Sequence, residues 1–412
     1  MYDVIVVGGG AAGMMASVTA AGAGLHVLLL EKNSRCGRKL GITGKGRCNV
    51  TNHCTPKEVI DSVPTGGKFL FSALEGFSPL DTIAFFEGLG VPLKTERGNR
   101  VFPQSDRAAD IVNALWSRMH SLGVTVRQAD VTRITTDGGV VSGVVTETGR
   151  AYEGKNIILA TGGLSYPATG STGAGYHMAA ALGHTIVPPS GSLVPLTSED
   201  ACCARMQGLS LKNVRLTVSD GGKKPVFEDF GEMLFTHFGV SGPLVLSASA
   251  HMRQFERKTY TLSIDLKPAL DEKKLDERIL RDFEKYANRD FANSLSDLLP
   301  RKMIPVMVQR SGIFPETKTN AVTRQQRRHL VELIKDFRIT VSGKRPVEEA
   351  IVTTGGVELK QINPKTMESK LVSGLFFAGE ILNADAYTGG FNLQIAWSTA
   401  YAAATHLQNQ NT

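Results

Sequence analysis

An α/β protein split by an insertion is what this sequence predicts, and three observations predict it. An apolar strand over residues 4–7 runs into Gly8-Gly9-Gly10-Ala11-Ala12-Gly13 and then into a small-residue helix over 14–23. From about residue 190 the texture changes to alternating strands, with a hairpin signal at Asp220-Gly221-Gly222. A short apolar strand over 375–378 and an apolar helix from 389 to about 406 then restore the first texture. The two ends are therefore expected to form one domain around the inserted middle.

The opening segment reads as G-x-G-x-x-G. Gly8 permits the tight turn, Gly10 lets backbone approach a pyrophosphate, and Gly13 lets the helix pack on the strand. An anion is favoured at the helix N-terminus by its free N–H groups and dipole. A second apolar strand over 26–30 ends in Glu31, 18 positions after Gly13, placed to accept hydrogen bonds from a ribose and to disfavour a 2′-phosphate. Strand, glycines, helix, strand and acid in this order predict a dinucleotide site.

A loop rich in glycine and cations follows over 36–52. Helices are expected over 81–89 and 108–122, and strands over 124–127, 131–136, 140–146 and 156–160. The last of these strands ends in Ala160-Thr161-Gly162-Gly163. In the middle, 214–219 and 259–266 alternate as an antiparallel β domain should, and 271–336 is helical, broken by Pro300, Pro305 and Pro315. Leu330, Leu333, Ile334 and Phe337 fall at i, i+3, i+4 and i+7, one face of a helix.

Composition narrows the function classes. With 42% hydrophobic and 21% charged residues, the 412-residue chain reads as globular, with room for two or three cores. No charge-free run of about 18 apolar residues occurs, so no membrane span is expected. The opening lacks a basic n-region, so no signal peptide is expected. Cys36, Cys48, Cys54, Cys202 and Cys203 include no C-x-x-C pair and read as reduced cytoplasmic thiols, with no metal site. The net charge of +7 is local: residues 267–345 hold 18 Lys+Arg against 11 Asp+Glu. Such an excess attracts phosphate backbones or is a solvated helical surface.

A nicotinamide cofactor needs only the first β-α-β unit and its neighbours. Further glycine-rich turns lie at Ala160-Thr161-Gly162-Gly163, at Gly379-Glu380 and at the helix start over 389–394. Any one of them could be a helix cap. Together they point to one long cofactor, FAD, lying across both ends of the chain. The last helix start would face the flavin ring, where reduction places negative charge.

These residues also resemble a known family. Gly37-Arg38-Lys39-Leu40, Thr43-Gly44-Lys45-Gly46-Arg47-Cys48-Asn49-Val50-Thr51-Asn52 and Arg100-Val101-Phe102-Pro103 are similar to blocks of the BaiN/RdsA family of bacterial NAD(P)/FAD-dependent oxidoreductases. So are Gly173-Ala174-Gly175-Tyr176, Leu234-Phe235-Thr236-His237-Phe238-Gly239-Val240-Ser241-Gly242-Pro243 and the segment over 379–394. The resemblance implies a glutathione-reductase-like FAD-binding Rossmann domain over 1–189 and 356–412. It implies an inserted antiparallel β-barrel over 190–266 and 339–355, carrying a small basic helical insertion over 267–338. Lys45 departs from the family, standing where glycine is common.

Carried residue by residue, the resemblance makes Gly8, Gly10, Ala11, Ala12, Gly13, Glu31 and Lys32 the contacts on the ADP side. Arg38, Lys39, Gly46, Arg47, Cys48 and Asn49 would run past the pyrophosphate towards the flavin. Val131 would offer backbone to the adenine, where Thr161 and Gly162 close the site. Gly379, Glu380, Asp385, Gly390, Phe391, Asn392, Leu393 and Gln394 would surround the ribityl chain and ring.

Cys48, with a pKa lowered by its neighbour Arg47, is the candidate proton donor; the competing reading is a small buried filler. His237 and Ser241 would line a substrate entrance or serve as caps, and Cys202-Cys203 is read as packing. Arg324, Arg327, Arg328, Lys335 and Arg338 are candidates for holding RNA phosphates. The activity implied is NAD(P)H-driven reduction of a 23S ribosomal RNA uridine to dihydrouridine, with NADPH or NADH docking transiently. Two alternatives stand beside it: an ene-reductase of a small steroid- or bile-acid-like enone, and an FAD-containing RNA-binding or assembly factor.

Overall fold

The computed structural model describes residues 1–253 and 255–410. The chain divides into two compact units, Met1–Ser192 with Val347–Thr412, and Leu193–Pro346.

The first unit is built on a parallel sheet. Its strands run in the order Thr125–Gln128, Val27–Glu31, Tyr2–Val7 and Ala151–Leu159, and Leu375–Phe377 pairs on the far side of Ala151–Leu159. One register row crosses the whole sheet: Val126, Leu29, Val6, Ile158 and Phe376. Both faces of the central strands are covered, so they read as continuous apolar runs rather than alternating ones. Ala151–Leu159 serves two sheets. Its first half pairs antiparallel with Val140–Thr146, itself paired with Val131–Asp137, and its second half pairs parallel with Tyr2–Val7.

The helix Ala11–Gly22 packs along the C-terminal helix Phe391–Gln410. Both are rich in Ala, and Ala16, Ala20, Ala400, Ala403 and Ala404 lie in the same buried core, where the two ends of the chain meet. Helices Pro79–Gly88 and Ala108–Ser121 form where the sequence predicts them, the first capped by Ser78 with Pro at its start. A small antiparallel sheet of Thr51–Asn52, Arg100–Pro103 and Leu93–Glu96 was not expected. No single described helix is long and apolar enough to cross a membrane.

The boundaries of the insertion differ from expectation. Residues 190–192 and 347–355 lie in the first unit, because Ile186–Ser192 and Val352–Val357 pair antiparallel there. In the second unit a seven-stranded antiparallel sheet runs in the order Phe337–Val341, Tyr260–Asp265, Ser210–Ser219, Phe227–Thr236, Gly239–Ser241, Leu196–Thr197, Gly343–Lys344. The hairpin signal at 220–222 does join two of its strands.

Residues 267–338 do not form a compact unit of their own. Leu275, Ile279, Phe291, Met303, Leu330 and Ile334 from this segment share a core with Leu216, Ile264 and Ile339 of the sheet. The helix Arg324–Lys335 ends at Asp336 (φ −141°), so Phe337, expected on its face, instead starts a strand. Alternation of buried positions along Phe337–Val341 shows the change of period.

Candidate functional site

Everything expected at the dinucleotide site lies in the first unit. Gly8 (φ +102°) sits where a β-carbon would meet the Ala160 carbonyl oxygen at 2.6 Å, so the opening strand and the 160–163 turn are in direct backbone contact. Gly10 is different: a β-carbon there would meet nothing within 4 Å. Gly10 is also the N-cap of Ala11–Gly22, with no side-chain cap and no acid in the first turn. The first N–H groups of that helix are therefore uncapped by side chains, and the space beside Gly10 is open, the arrangement a pyrophosphate needs. Gly379 brings the C-terminal end to the same place, its missing β-carbon leaving room for the Ala12 methyl at 2.8 Å.

Around this cradle the charged candidates hold one another. Glu31 accepts from the Gly9 N–H (2.7 Å) and from the backbone and side-chain N–H groups of Asn33 (2.8 and 2.6 Å). Arg38 donates to Asn33 Oδ1 at 2.7 Å, and Lys32 to the Thr172 hydroxyl at 2.8 Å. Lys39 pairs with Glu380 at 2.6 Å and also donates to Ser165. The other Glu380 oxygen accepts from Ser165 Oγ (3.0 Å) and from the Thr353 N–H (2.8 Å). Glu380 is thus a bracket between the 36–52 loop, the 160–165 turn and the Val352–Val357 strand. Sequence reasoning missed Asn33, Ser165 and Thr353. For Thr353 a signal existed: Thr353-Thr354-Gly355-Gly356 echoes the Thr161-Gly162-Gly163 turn.

In the 43–49 loop, Gly44, Lys45 and Gly46 run consecutively in the left-handed region, so Lys45 takes the conformation a glycine would take more easily. The Arg47 guanidinium is committed to carboxylates: it reaches Asp106 at 2.6 Å and Glu96 at 2.5 Å and lies 4.1 Å from the centre of the Phe102 ring. Arg47 holds the Glu96 carboxyl, and Lys94 together with Arg47 the Asp106 carboxyl, below their ordinary pKa, so the cluster stays charged in mild acid. Arg47 does not lower that of Cys48. Cys48 is fully buried, and burial pushes its thiol up to about 12, against the expectation of an activated thiol. In this structure the Cys48 side chain packs within the core.

The C-terminal candidates divide in the same way. Gly390 (φ +98°) lies so close to Thr51 that a β-carbon would stand 2.3 Å from its carbonyl oxygen. Gln394 was expected to face the flavin, but its side chain is fully buried and turned inward. Gln394 accepts from Thr51 and Thr82 hydroxyls (2.5 and 2.9 Å) and donates to the Phe77 carbonyl and to Ser398 (3.0 and 2.9 Å). Asp385 is likewise buried, accepting from Ser192 and Thr354 hydroxyls, each at 2.7 Å. Asn392 ties down the backbone of Ala386 and Tyr387. Phe391 and Leu393 are half-buried against the main core. Val131 opens its strand, buried, three residues after the Gln128 that pairs with Glu31.

Three buried side-chain polar atoms in this unit have no partner among the described residues: Asn49 Oδ1, Thr161 Oγ1 and His184 Nδ1. The first two belong to segments singled out for the cofactor. With the open space at Gly10, they fit a bound dinucleotide that brings its own donors and acceptors.

In the second unit the basic candidates separate by their partners. Arg327 makes a two-pronged bond to Asp276 (2.6 and 3.1 Å) and is largely buried. Lys335 pairs with Asp265 at 2.6 Å and donates to the Leu270 carbonyl. Arg338 is exposed but paired with Asp336. Arg324 and Arg328, four residues apart on one helix, are exposed. Of the five, these two have charge to offer a phosphate. His237 is exposed, against the Phe238 ring. Among the described residues no group of acids, cysteines and histidines could hold a metal ion.

Comparison with known proteins places this geometry. The family described as HI0933-like protein Rossmann domain matches residues 2–406. A ribosomal RNA dihydrouridine synthase of Haemophilus influenzae is 32% identical over 98% of each chain. A 3-dehydro-bile acid delta(4,6)-reductase of Clostridium scindens is 29% identical over 98% of each. Among solved structures, the 3-ketosteroid delta1-dehydrogenase of Sterolibacterium denitrificans superposes with a TM-score of 0.53 at 13% identity over 99% of each chain, a likeness of fold.

Proposed function

The chain belongs to the HI0933-like Rossmann family and is an FAD-dependent oxidoreductase acting on a C=C bond, and on that premise we propose that it reduces a uridine of 23S ribosomal RNA to dihydrouridine in the cytoplasm. The observation that favours RNA over a small enone is the charge. Residues 267–345 carry an excess of +7, equal to that of the whole chain, with Arg324 and Arg328 exposed among them.

Bound FAD would supply the two-electron carrier between NADPH or NADH and C6 of the uracil. A proton must then reach C5. Solvent is its source in our reading, since the Cys48 thiol is shut inside the core. The first turn of Ala11–Gly22 and Gly10 would hold the pyrophosphate, and Glu31 has lone pairs left for a ribose hydroxyl. Val131, Thr161 and Gly162 would close the adenine end. The Lys39–Glu380 pair would fix the loops against which the cofactor lies, and Asn49 Oδ1 would accept from it. The start of Phe391–Gln410 would face the ring and stabilise negative charge there.

Deleting the gene and mapping dihydrouridine in 23S ribosomal RNA tests the proposal: loss of a modification is the expected result, and an unchanged map overturns it. The bile-acid reductase at 29% identity supports a second reading, reduction of a small enone. That reaction should be insensitive to salt, whereas RNA binding weakens steeply with it. A purely RNA-binding role predicts that neither NADPH nor NADH bleaches the bound flavin without oxygen.

A further inference from the structure

Phe314 is the most exposed large apolar side chain among the described residues, at 80%. Its exposure is built rather than accidental. Ile313 beside it is buried in the core of the second unit. The loop is pinned on both sides of the ring: the Thr317 N–H donates to the Phe314 carbonyl (3.0 Å), and the Phe291 and Ala292 N–H groups donate to the carbonyls of Thr317 (2.8 Å) and Pro315 (3.1 Å). The ring therefore stands out from a braced turn instead of folding back. Beside it lies an open groove of about 370 Å³, lined by Pro305, Val308, Gln309, Gly312 and Pro315.

Arginines stand beside the helix that lines that groove, two of them paired with acids. Arg205 donates to the side-chain oxygen of Gln309, which lines the groove. Arg310 follows on the same helix, Ile304–Ser311, and donates to the Arg338 carbonyl, whose own guanidinium is exposed. Asp200 and Asp336 pair with Arg310 and Arg338, and Glu316 follows the loop. The surrounding segment nevertheless holds the whole cationic excess of the chain. A braced aromatic face on a segment of net positive charge suits an unpaired nucleobase on a phosphate backbone: the ring takes the base by stacking, and exposed cations of the segment, Arg324 and Arg328 among them, take the phosphates.

We propose that Phe314 is a stacking platform for an unpaired base of the RNA substrate, with the adjacent groove receiving the neighbouring sugar or base. This rests on the RNA reading above. The contact is independent of sequence, since every base has a π-face, so it serves to anchor the RNA rather than to choose the uridine.

The test uses the full-length, flavin-loaded protein and a single-stranded, uridine-rich RNA of about 12 nucleotides, within the range such surfaces cover. Anisotropy titrations should show Phe314→Ala weakening binding about tenfold. The slope of affinity against salt should not change, because stacking releases no counterions. Phe314→Trp should bind as the parent does, and its added fluorescence should be quenched by the RNA. Unchanged affinity in Phe314→Ala, or an unquenched Phe314→Trp that binds normally, overturns the platform and leaves the RNA reading intact. A parent protein that binds neither this RNA nor ribosomal RNA removes the RNA reading, and the platform with it.

Discussion

A β-carbon on Gly13 would stand 1.8 Å from the carbonyl oxygen of Gly8. The two glycines are where the first helix and the turn that feeds it touch through backbone alone. No rotamer change relieves that clash, since both atoms belong to the main chain or its first carbon.

Gly13→Ala should therefore cost the fold about 3 kcal/mol, a backbone overpacking penalty. Gly10→Ala, where a β-carbon meets nothing, should keep the melting temperature of the flavin-free protein and lose flavin affinity at least tenfold, about 1.4 kcal/mol. Calorimetry and flavin titration of both variants check the contrast. If Gly10→Ala binds flavin normally, the space beside Gly10 is not the cofactor's.

The burial of Cys48 has a signature in alkali. Its thiol is raised to about 12, so the native state holds a proton that the unfolded chain releases near its ordinary value of about 9. Stability from this group is complete below about pH 9 and is lost as pH rises towards 12. The expected slope is about 1.4 kcal/mol per pH unit for one proton. Cys36 and Cys54, raised to about 12 and about 11, add to the same window. Denaturation measured from pH 8 to 11 should show a shallower decline in Cys48→Ala than in the parent. Alkylation of Cys48 in the native protein at pH 8 would contradict its burial.

Gln394 satisfies four partners inside the core. Gln394→Ala strands the Thr51 hydroxyl, while the Thr82 hydroxyl keeps the Ser78 carbonyl and the Phe77 carbonyl keeps Ser398, and should lower stability by about 2 kcal/mol. The spectrum of bound flavin should hardly move. A shifted spectrum with an unchanged melting temperature would mean that the side chain turns towards the ring.

Arg324 and Arg328 are available for phosphates, and Arg327 between them is not. Arg324→Ala with Arg328→Ala should reduce the slope of log affinity against log salt for single-stranded RNA by about 1.4, at about 0.7 for each phosphate no longer neutralised. Arg327→Ala should instead leave the slope alone and lower stability, because it leaves Asp276 without its partner. Equal slopes in all three proteins would remove this helix from the RNA-binding surface.

The opening β-α-β unit was legible because its signals are local: an apolar run, glycines at fixed offsets and an acid closing the next strand. The reunion of the two ends was legible from texture, since Leu375–Phe377 is apolar throughout, as a strand covered on both faces must be. Boundaries were less so. Nothing in the alternation over 190–192 tells that its partner is Val352–Val357 and not a strand of the insertion.

What the sequence by itself determined is therefore the backbone cradle: which strand, which glycines and which helix start stand at the dinucleotide site. Only the tertiary structure decided what the polar side chains around it do. Lys39 with Glu380, Gln394 with Thr51, and Asp385 with Ser192 are pairs far apart along the chain. A carboxylate or amide near a site can spend its hydrogen bonds on a ligand or on the protein, and spacing in the sequence does not distinguish the two. Cys48 shows the same limit for charge: its neighbour in sequence is an arginine, but burial, a property of the fold alone, sets its proton affinity.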